Sequence, residues 1–259
     1  MIDFADLHSH LVPGVDDGSA SVEESLDSLQ TLRAEGVEAL VTTPHLLLPR
    51  LGTDAAIDRE LERHRRAFEG LLDAVGGEDG LPAIGLGQEI WAPDAAAIAR
   101  VLHRADVGLG GSEYLLVEFG FRLTGTHLEV VDAVAASGRR IVVAHPERYE
   151  FAPDADPVAT VARWREHGAL LQINAGSLNG YYVDQNPGSE RLAWQFVEQG
   201  LADLISTDHH GVRRAGVSPA EAWDTLVERG FAAEAAQLLS AVPGRIVRAG
   251  VAARQTAAH

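Results

Sequence analysis

Short apolar runs alternate with longer amphipathic ones along the whole chain. The short runs predict buried strands over residues 2–7, 39–43, 83–88, 114–119, 141–144, 170–173 and 204–206. Between them, apolar positions recurring every three or four residues predict helices over 21–35, 55–74, 94–104, 126–137, 157–167 and 190–199, with two more over 219–229 and 232–240. Ser21 followed by Glu24 reads as a capping box, and Gly36, Gly138, Gly168 and Gly200 read as helix stops. Loops are short except for 46–53, 76–81 and 176–188. Repeated strand–helix units argue an α/β fold with a parallel sheet and helices outside it. Seven units in 259 residues suit one closed barrel. The alternative, an open doubly wound sheet, lacks its glycine-rich fingerprint after the first strand.

In such a barrel, chemistry collects where the strands end. The first strand runs into Asp6-Leu7-His8-Ser9-His10, which places Asp6, His8 and His10 on one face, and then into the turn Asp16-Asp17-Gly18. The second ends at His45, the third at Gln88-Glu89, the fourth at Glu118. The fifth runs into His145-Pro146-Glu147-Arg148, the sixth ends at Asn174, and the seventh runs into Asp208-His209-His210. Six of the seven ends therefore carry His, Asp or Glu directly behind an apolar run. Burying that many ionisable groups on one edge is too costly unless they share a ligand. Imidazole with carboxylate and no thiolate selects Zn, Mn or Fe, and the number of donors allows more than one ion. His64, His103, His127 and His167 fall in helical patterns and are expected on solvated faces; His209 should alternate away from its neighbours. The pair Tyr181-Tyr182 is expected to pack under its loop rather than to stack on a substrate ring.

Composition narrows the choice. The chain has no cysteine, which excludes thiolate nucleophiles, thiolate metal sites and disulfides. Every basic residue is arginine, which excludes Schiff-base lysines and the P-loop lysine. A formal charge of −17 repels nucleic-acid backbones, and no apolar run is long enough to span a membrane. The acidic opening of the chain has no signal-peptide character, so a cytoplasmic protein is expected.

Taken together, DLHSHLVPGVDDG, TPH, GQE, EF, HPER and TDHH resemble the polymerase-and-histidinol-phosphatase (PHP) family of metal-dependent phosphoesterases. Within that family the chain is most similar to the bacterial tyrosine-protein phosphatases encoded with capsule and exopolysaccharide genes. The resemblance implies a distorted seven-stranded PHP-type barrel over residues 1–250, with 251–259 as a short tail. It implies three divalent ions, manganese favoured over iron or zinc. The first would take His8, His10, Glu89 and Asp208; the second Glu89, Glu118 and His145; the third Asp17, His45 and His210. Arg148 matches the family's phosphate-binding arginine, and Arg213 or Arg214 its second arginine.

The implied reaction is hydrolysis of phosphotyrosine on a protein by metal-activated water, without a phosphoenzyme, with Asp208 and His210 beside the reacting groups. The implied partner is an exopolysaccharide tyrosine kinase. The rivals are a histidinol-phosphate phosphatase, a barrel amidohydrolase, and a catalytically silent, metal-stabilised binding module.

Overall fold

The computed structural model describes residues 3–76, 80–212 and 216–257. All seven expected strand regions form strands, and two more appear. The strands are β1 (Phe4–Asp6), β2 (Val37–Thr42), β3 (His45–Leu47), β4 (Ala83–Leu86), β5 (Glu89–Trp91), β6 (Tyr114–Glu118), β7 (Arg140–Ala144), β8 (Leu170–Asn174) and β9 (Leu204–Ser206). The helices are α1 (Val22–Ala34), α2 (Asp54–Val75), α3 (Ala95–Ala99), α4 (Leu128–Ala136), α5 (Pro157–Glu166), α6 (Ala175–Leu178), α7 (Ser189–Glu198), α8 (Pro219–Glu228), α9 (Ala232–Ala236) and α10 (Val242–Ala257).

The expected closed barrel is corrected. Among the described residues the strands make two parallel sheets, β1-β2-β4 and β3-β5-β6-β7-β8-β9. The break has a local cause. Pro44 cannot donate to a ladder, so the second predicted strand stops at Thr42 and restarts at His45. Gly87-Gln88 interrupts its neighbour at the same level, between β4 and β5. β2 pairs with β4, and β3 with β5, so the two breaks lie side by side. Between β1 and β9 there is no ladder. A single bridge, Ser9 to His209, is flanked by His10 N–H donating to the His209 carbonyl at 2.7 Å and Asp208 N–H to the His8 carbonyl at 2.9 Å.

Period-2 alternation sorts the central strands between two faces. Leu115, Val117, Ile141, Val143, Leu171 and Ile173 join the large cluster that packs against the helices. Leu116, Val142, Ala144 and Leu204 join a smaller cluster with Leu7, Val41 and Ile246 of α10. Continuing that second parity along β6 and β8 reaches Glu118, Gln172 and Asn174, so this face turns from apolar to polar toward the strand ends.

Smaller expectations shift for physical reasons. The loop at 46–53 holds β3 and a 3₁₀ turn, Leu48–Arg50, before the Thr53 cap of α2. The helix expected over 94–104 is regular only through Ala99. At α1 the Ser21 side chain accepts from Glu24 N–H, but the Glu24 carboxylate takes the Ala20 N–H instead of closing the box. The full capping box sits at Ser218 and Glu221. A π turn, Gln237–Ala241, precedes Pro243 in α10, where the ring could not fit an ordinary α turn. No helix of the described residues is long and apolar enough to cross a membrane.

Candidate metal centre

The expected donors meet at the polar end of the inner face. Their pivot is Glu89, at the start of β5, just after the Gly87-Gln88 break. Its Oε1 lies 3.4 Å from His8 Nε2 and 3.0 Å from His145 Nε2. Its Oε2 lies 3.5 Å from His10 Nε2 and 2.6 Å from His45 Nδ1. Each carboxylate oxygen thus serves two imidazoles. His8 Nε2 and His10 Nε2 are 3.2 Å apart, and Asp208 Oδ1 is 3.3 and 3.4 Å from them. On the open side, Asp17 Oδ1 is 3.3 Å from His45 Nε2 and 3.5 Å from His210 Nε2.

Three donor groups result: His8, His10 and Asp208; His8, Glu89 and His145; and His10, Asp17, His45 and His210. An ion about 2.1 Å from each donor of a tetrahedral set would put the donors roughly 3.4 Å apart, which matches these spacings. Orphaned atoms agree. Glu89 Oε2 and His45 Nδ1 are close but misaligned, so neither has a hydrogen-bond partner among the described residues, and His145 Nδ1 has none either. Four buried or half-buried imidazoles aimed at carboxylates, with lone pairs left over, fit divalent cations better than protons. Glu118 lines the same cavity of about 300 Å³ but is not within any of the three groups. Arg213 and Arg214 lie outside the described residues.

Electrostatics separates the carboxylates. Burial would push Glu89 and Asp208 up, yet the charge of His8 and hydrogen bonds from neighbouring imidazoles hold both well below the usual range. Burial, reinforced by the charge on Glu89, pushes Glu118 up to about 8. The imidazoles divide as well. Burial opposes charge on His10 and His45, but carboxylate neighbours prevail and raise them to about 9 and about 11. Burial, with help from Arg148, lowers His145 and favours its neutral, ligating form.

Outer contacts fix the rings. Gln172 Oε1, 2.9 Å from His8 Nδ1, accepts its proton and leaves Nε2 facing the donors. Asp16 Oδ2 does the same for His10 Nδ1 at 2.7 Å. Two residues here hold positive φ without being glycine, His145 at 31° and Asp208 at 54°, a cost of a kind that collects at functional sites. Gly18 is set by contact: a Cβ there would lie 2.0 Å from the His10 carbonyl oxygen, so only glycine lets the Asp16-Asp17 turn fold back onto His10. Arg148 Nη1 donates to Asp208 Oδ2 at 2.8 Å, and its guanidinium lies 4.1 Å from the Tyr182 ring centre and 5.1 Å from that of Phe121.

The family described as "Capsular polysaccharide synthesis, CpsB/CapC" matches residues 4–248. The chain belongs to that family. It is 28% identical over 213 residues to the putative tyrosine-protein phosphatase CapC of Staphylococcus aureus, covering 80% of this chain and 77% of the relative. It is 26% identical over 238 residues to the tyrosine-protein phosphatase YwqE of Bacillus subtilis, covering 91% and 88%. A solved chain from the crystal structures of YwqE from Bacillus subtilis and CpsB from Streptococcus pneumoniae, described as unique metal-dependent tyrosine phosphatases, superposes with a TM-score of 0.75. That match covers 95% of this chain and 94% of the solved one at 24% identity.

Some residues of this CpsB/CapC-family chain sit elsewhere than the sequence suggested. Asp6 shares the strand with His8 but turns its carboxylate to the Thr207 hydroxyl and N–H and to the His8 N–H, so it braces the seam between β1 and β9. His64 and His127 are buried, not solvated: His64 Nδ1 is 2.8 Å from Gln88 Oε1, and His127 Nδ1 is 2.9 Å from the Pro93 carbonyl. His103 and His167 are exposed as expected. His209 is buried outside the three donor groups, and its backbone carries the bridge to Ser9. Gln172 was missed as a site support, and Asn174, already placed at the end of its strand, was given no role there. Their signal was a polar residue at every second position of an apolar strand.

Proposed function

We propose that this chain is a metal-dependent protein-tyrosine phosphatase acting on a phosphotyrosyl protein, with a tyrosine kinase of exopolysaccharide synthesis as partner. The observation that carries the reading is the convergence of four imidazoles on one carboxylate, Glu89, in a cavity that also holds Arg148. The names of the CapC and YwqE relatives support the substrate class. The proposed ions, three in number with manganese favoured, would be held by His8, His10, Glu89 and Asp208; by Glu89, Glu118 and His145; and by Asp17, His45 and His210. Counting β2 with β3 and β4 with β5 as single interrupted strands, the two sheets follow the strand order of a distorted seven-stranded barrel that lacks a ladder between β1 and β9.

Divalent ions at such a site supply positive charge for the phosphoryl oxygens and lower the pKa of a water nucleophile toward neutrality. The chain's own groups do the rest. Arg148 offers its fork to the phosphoryl oxygens, and Tyr182 and Phe121 keep the guanidinium over the cavity. Asn174, which donates to Asp208 at 2.8 Å, keeps that carboxylate in place when Arg148 turns to substrate. The leaving tyrosyl oxygen, with a pKa near 10, needs little proton help. Arg213 or Arg214 would be the second phosphate-binding arginine.

The test is turnover of a phosphotyrosyl peptide, a phosphoseryl peptide and histidinol phosphate, each with Mn²⁺ and with chelator. The reading expects metal-dependent turnover that is fastest on phosphotyrosine. Faster turnover of histidinol phosphate would move the protein to a small-alcohol substrate, and inertness on all three would end the phosphatase reading.

Protonation gives a second expectation. Without metal, His10 and His45 hold protons at neutral pH, because their pKa values are raised to about 9 and about 11. A metal must displace those protons. Binding at pH 7 should therefore release protons, seen as a calorimetric enthalpy that varies with the buffer's ionisation heat, and Mn²⁺ affinity should rise from pH 6 to 9. Affinity independent of pH over that range would contradict it.

A further inference from the structure

Buried Glu89, His145 and Asp208 line the cavity with Arg148, and part of its exposed lining is aromatic. Phe121 and Tyr181 both line it, and they are 52% and 47% exposed. Single exposed apolar side chains need no explanation, but two aromatic ones opening on the same cavity make a patch of the kind that marks a ligand groove. Among the described residues six large hydrophobics are at least 38% exposed, and two of the other four, Val183 and Val212, lie within two residues of a cavity-lining side chain.

Neither ring is there by loose packing. The segment carrying Phe121 is pinned by its backbone: Glu150 N–H donates to the Phe121 carbonyl at 2.6 Å, and Leu123 N–H to the Glu150 carbonyl at 3.0 Å. The Phe121 ring lies parallel to that of His145, at 7° and 6.0 Å between centres. Tyr181 is held as firmly. Its N–H donates to the Gly176 carbonyl at 2.9 Å, and its ring meets Tyr182 edge-on at 84° and 5.0 Å. A Cβ on Gly176 would come within 3.0 Å of both tyrosines, so that glycine is what lets the pair sit against α6. The expected packing role thus applies to Tyr182, which is buried under Arg148, and not to Tyr181.

From this placement we infer that Phe121 and Tyr181 grip the aryl ring of the phosphotyrosyl leaving group and so set the preference for aryl over alkyl phosphates. The inference rests on the phosphatase reading above. A phosphoryl group seated on Arg148 and the donors directs its ester substituent outward, past this exposed lining. A planar ring there meets the exposed parts of Phe121 and Tyr181, whereas the short alkyl chain of phosphoserine reaches neither. The cavity, about 300 Å³, is at the small end for ligand sites and suits one side chain of a flexible segment rather than a folded surface.

The experiment measures kcat/KM on phosphotyrosyl and phosphoseryl peptides of one sequence, for the metal-loaded wild type, Phe121→Ala, Tyr181→Ala and Phe121→Tyr. A ratio is insensitive to the fraction of enzyme that folds, so a destabilised variant still reports. Each alanine variant is expected to lower the aryl-to-alkyl ratio about 3- to 10-fold, the scale of one lost aromatic contact, mainly through KM. Phe121→Tyr is expected to keep it. Inhibition constants for phenylphosphonate and methylphosphonate should show the same change of ratio without turnover. An active wild type whose variants lose both substrates equally would overturn the inference and leave the phosphatase reading intact. A wild type inert on both peptides would overturn both.

Discussion

Replacing Glu89 with Gln is expected to lower kcat/KM on a phosphotyrosyl peptide on the order of 10³-fold, with loss of bound metal. The substitution keeps the shape and removes the charge. Four imidazoles then lose the carboxylate that each of them now meets within 3.5 Å. A neutral amide also keeps only one oxygen to offer the proposed ions. In the metal-free protein the same change should lower the His45 pKa, because burial already opposes its charge and Glu89 is the main opposing influence. Metal content by elemental analysis beside turnover at saturating Mn²⁺ checks the prediction. A variant that keeps full metal content and turns over within about tenfold of wild type would remove Glu89 from the centre of the site.

Arg148→Ala should lose about 10²- to 10³-fold in kcat/KM while keeping its metal, the scale seen when one preorganised donor to a developing anion is removed. Arg148→Lys should recover little, because a lysine ammonium has no planar fork and stacks poorly between two rings. The pairing of Arg148 with Asp208 sharpens the test, since removing the arginine frees a carboxylate that the donor set can use. Unchanged or tighter Mn²⁺ binding with crippled turnover is therefore the expected signature. Equal loss of both would mean that Arg148 holds the site together rather than holding phosphate.

The strand ends were legible because each was an apolar run followed at once by His, Asp, Glu or Asn, and a parallel α/β layout sends all such ends to one side. Those donors do converge. What escaped was set by spacing or by distance along the chain. His45-Leu46-Leu47 and Glu89-Ile90-Trp91 are too short to show a period, and each follows a breaker that makes it look like loop. Asp6 has the same parity as His8, but its partner, Thr207, is 201 residues away and gives no local sign. His64 could have been read better: Ile57, Leu61, His64, Phe68 and Leu71 recur at helical spacing, and all are buried. The Gln172 and Asp16 contacts to the imidazoles were out of reach, because alternation says which face a residue takes but not which ring it meets.

The seam between β1 and β9 has a consequence for how the protein comes into being. His8 and His10 are made long before Asp208 and His210, yet they close one site across separations of about 200 residues, as the Leu7 N–H to Ser206 hydroxyl bond does. Contacts that distant in sequence are the slowest to be found by a folding chain. A nascent chain therefore carries these histidines without Asp208 until about 200 further residues have been made. An ion that bound only the finished set would act as a clasp on the weakest join, favouring the whole chain over any fragment of it by mass action.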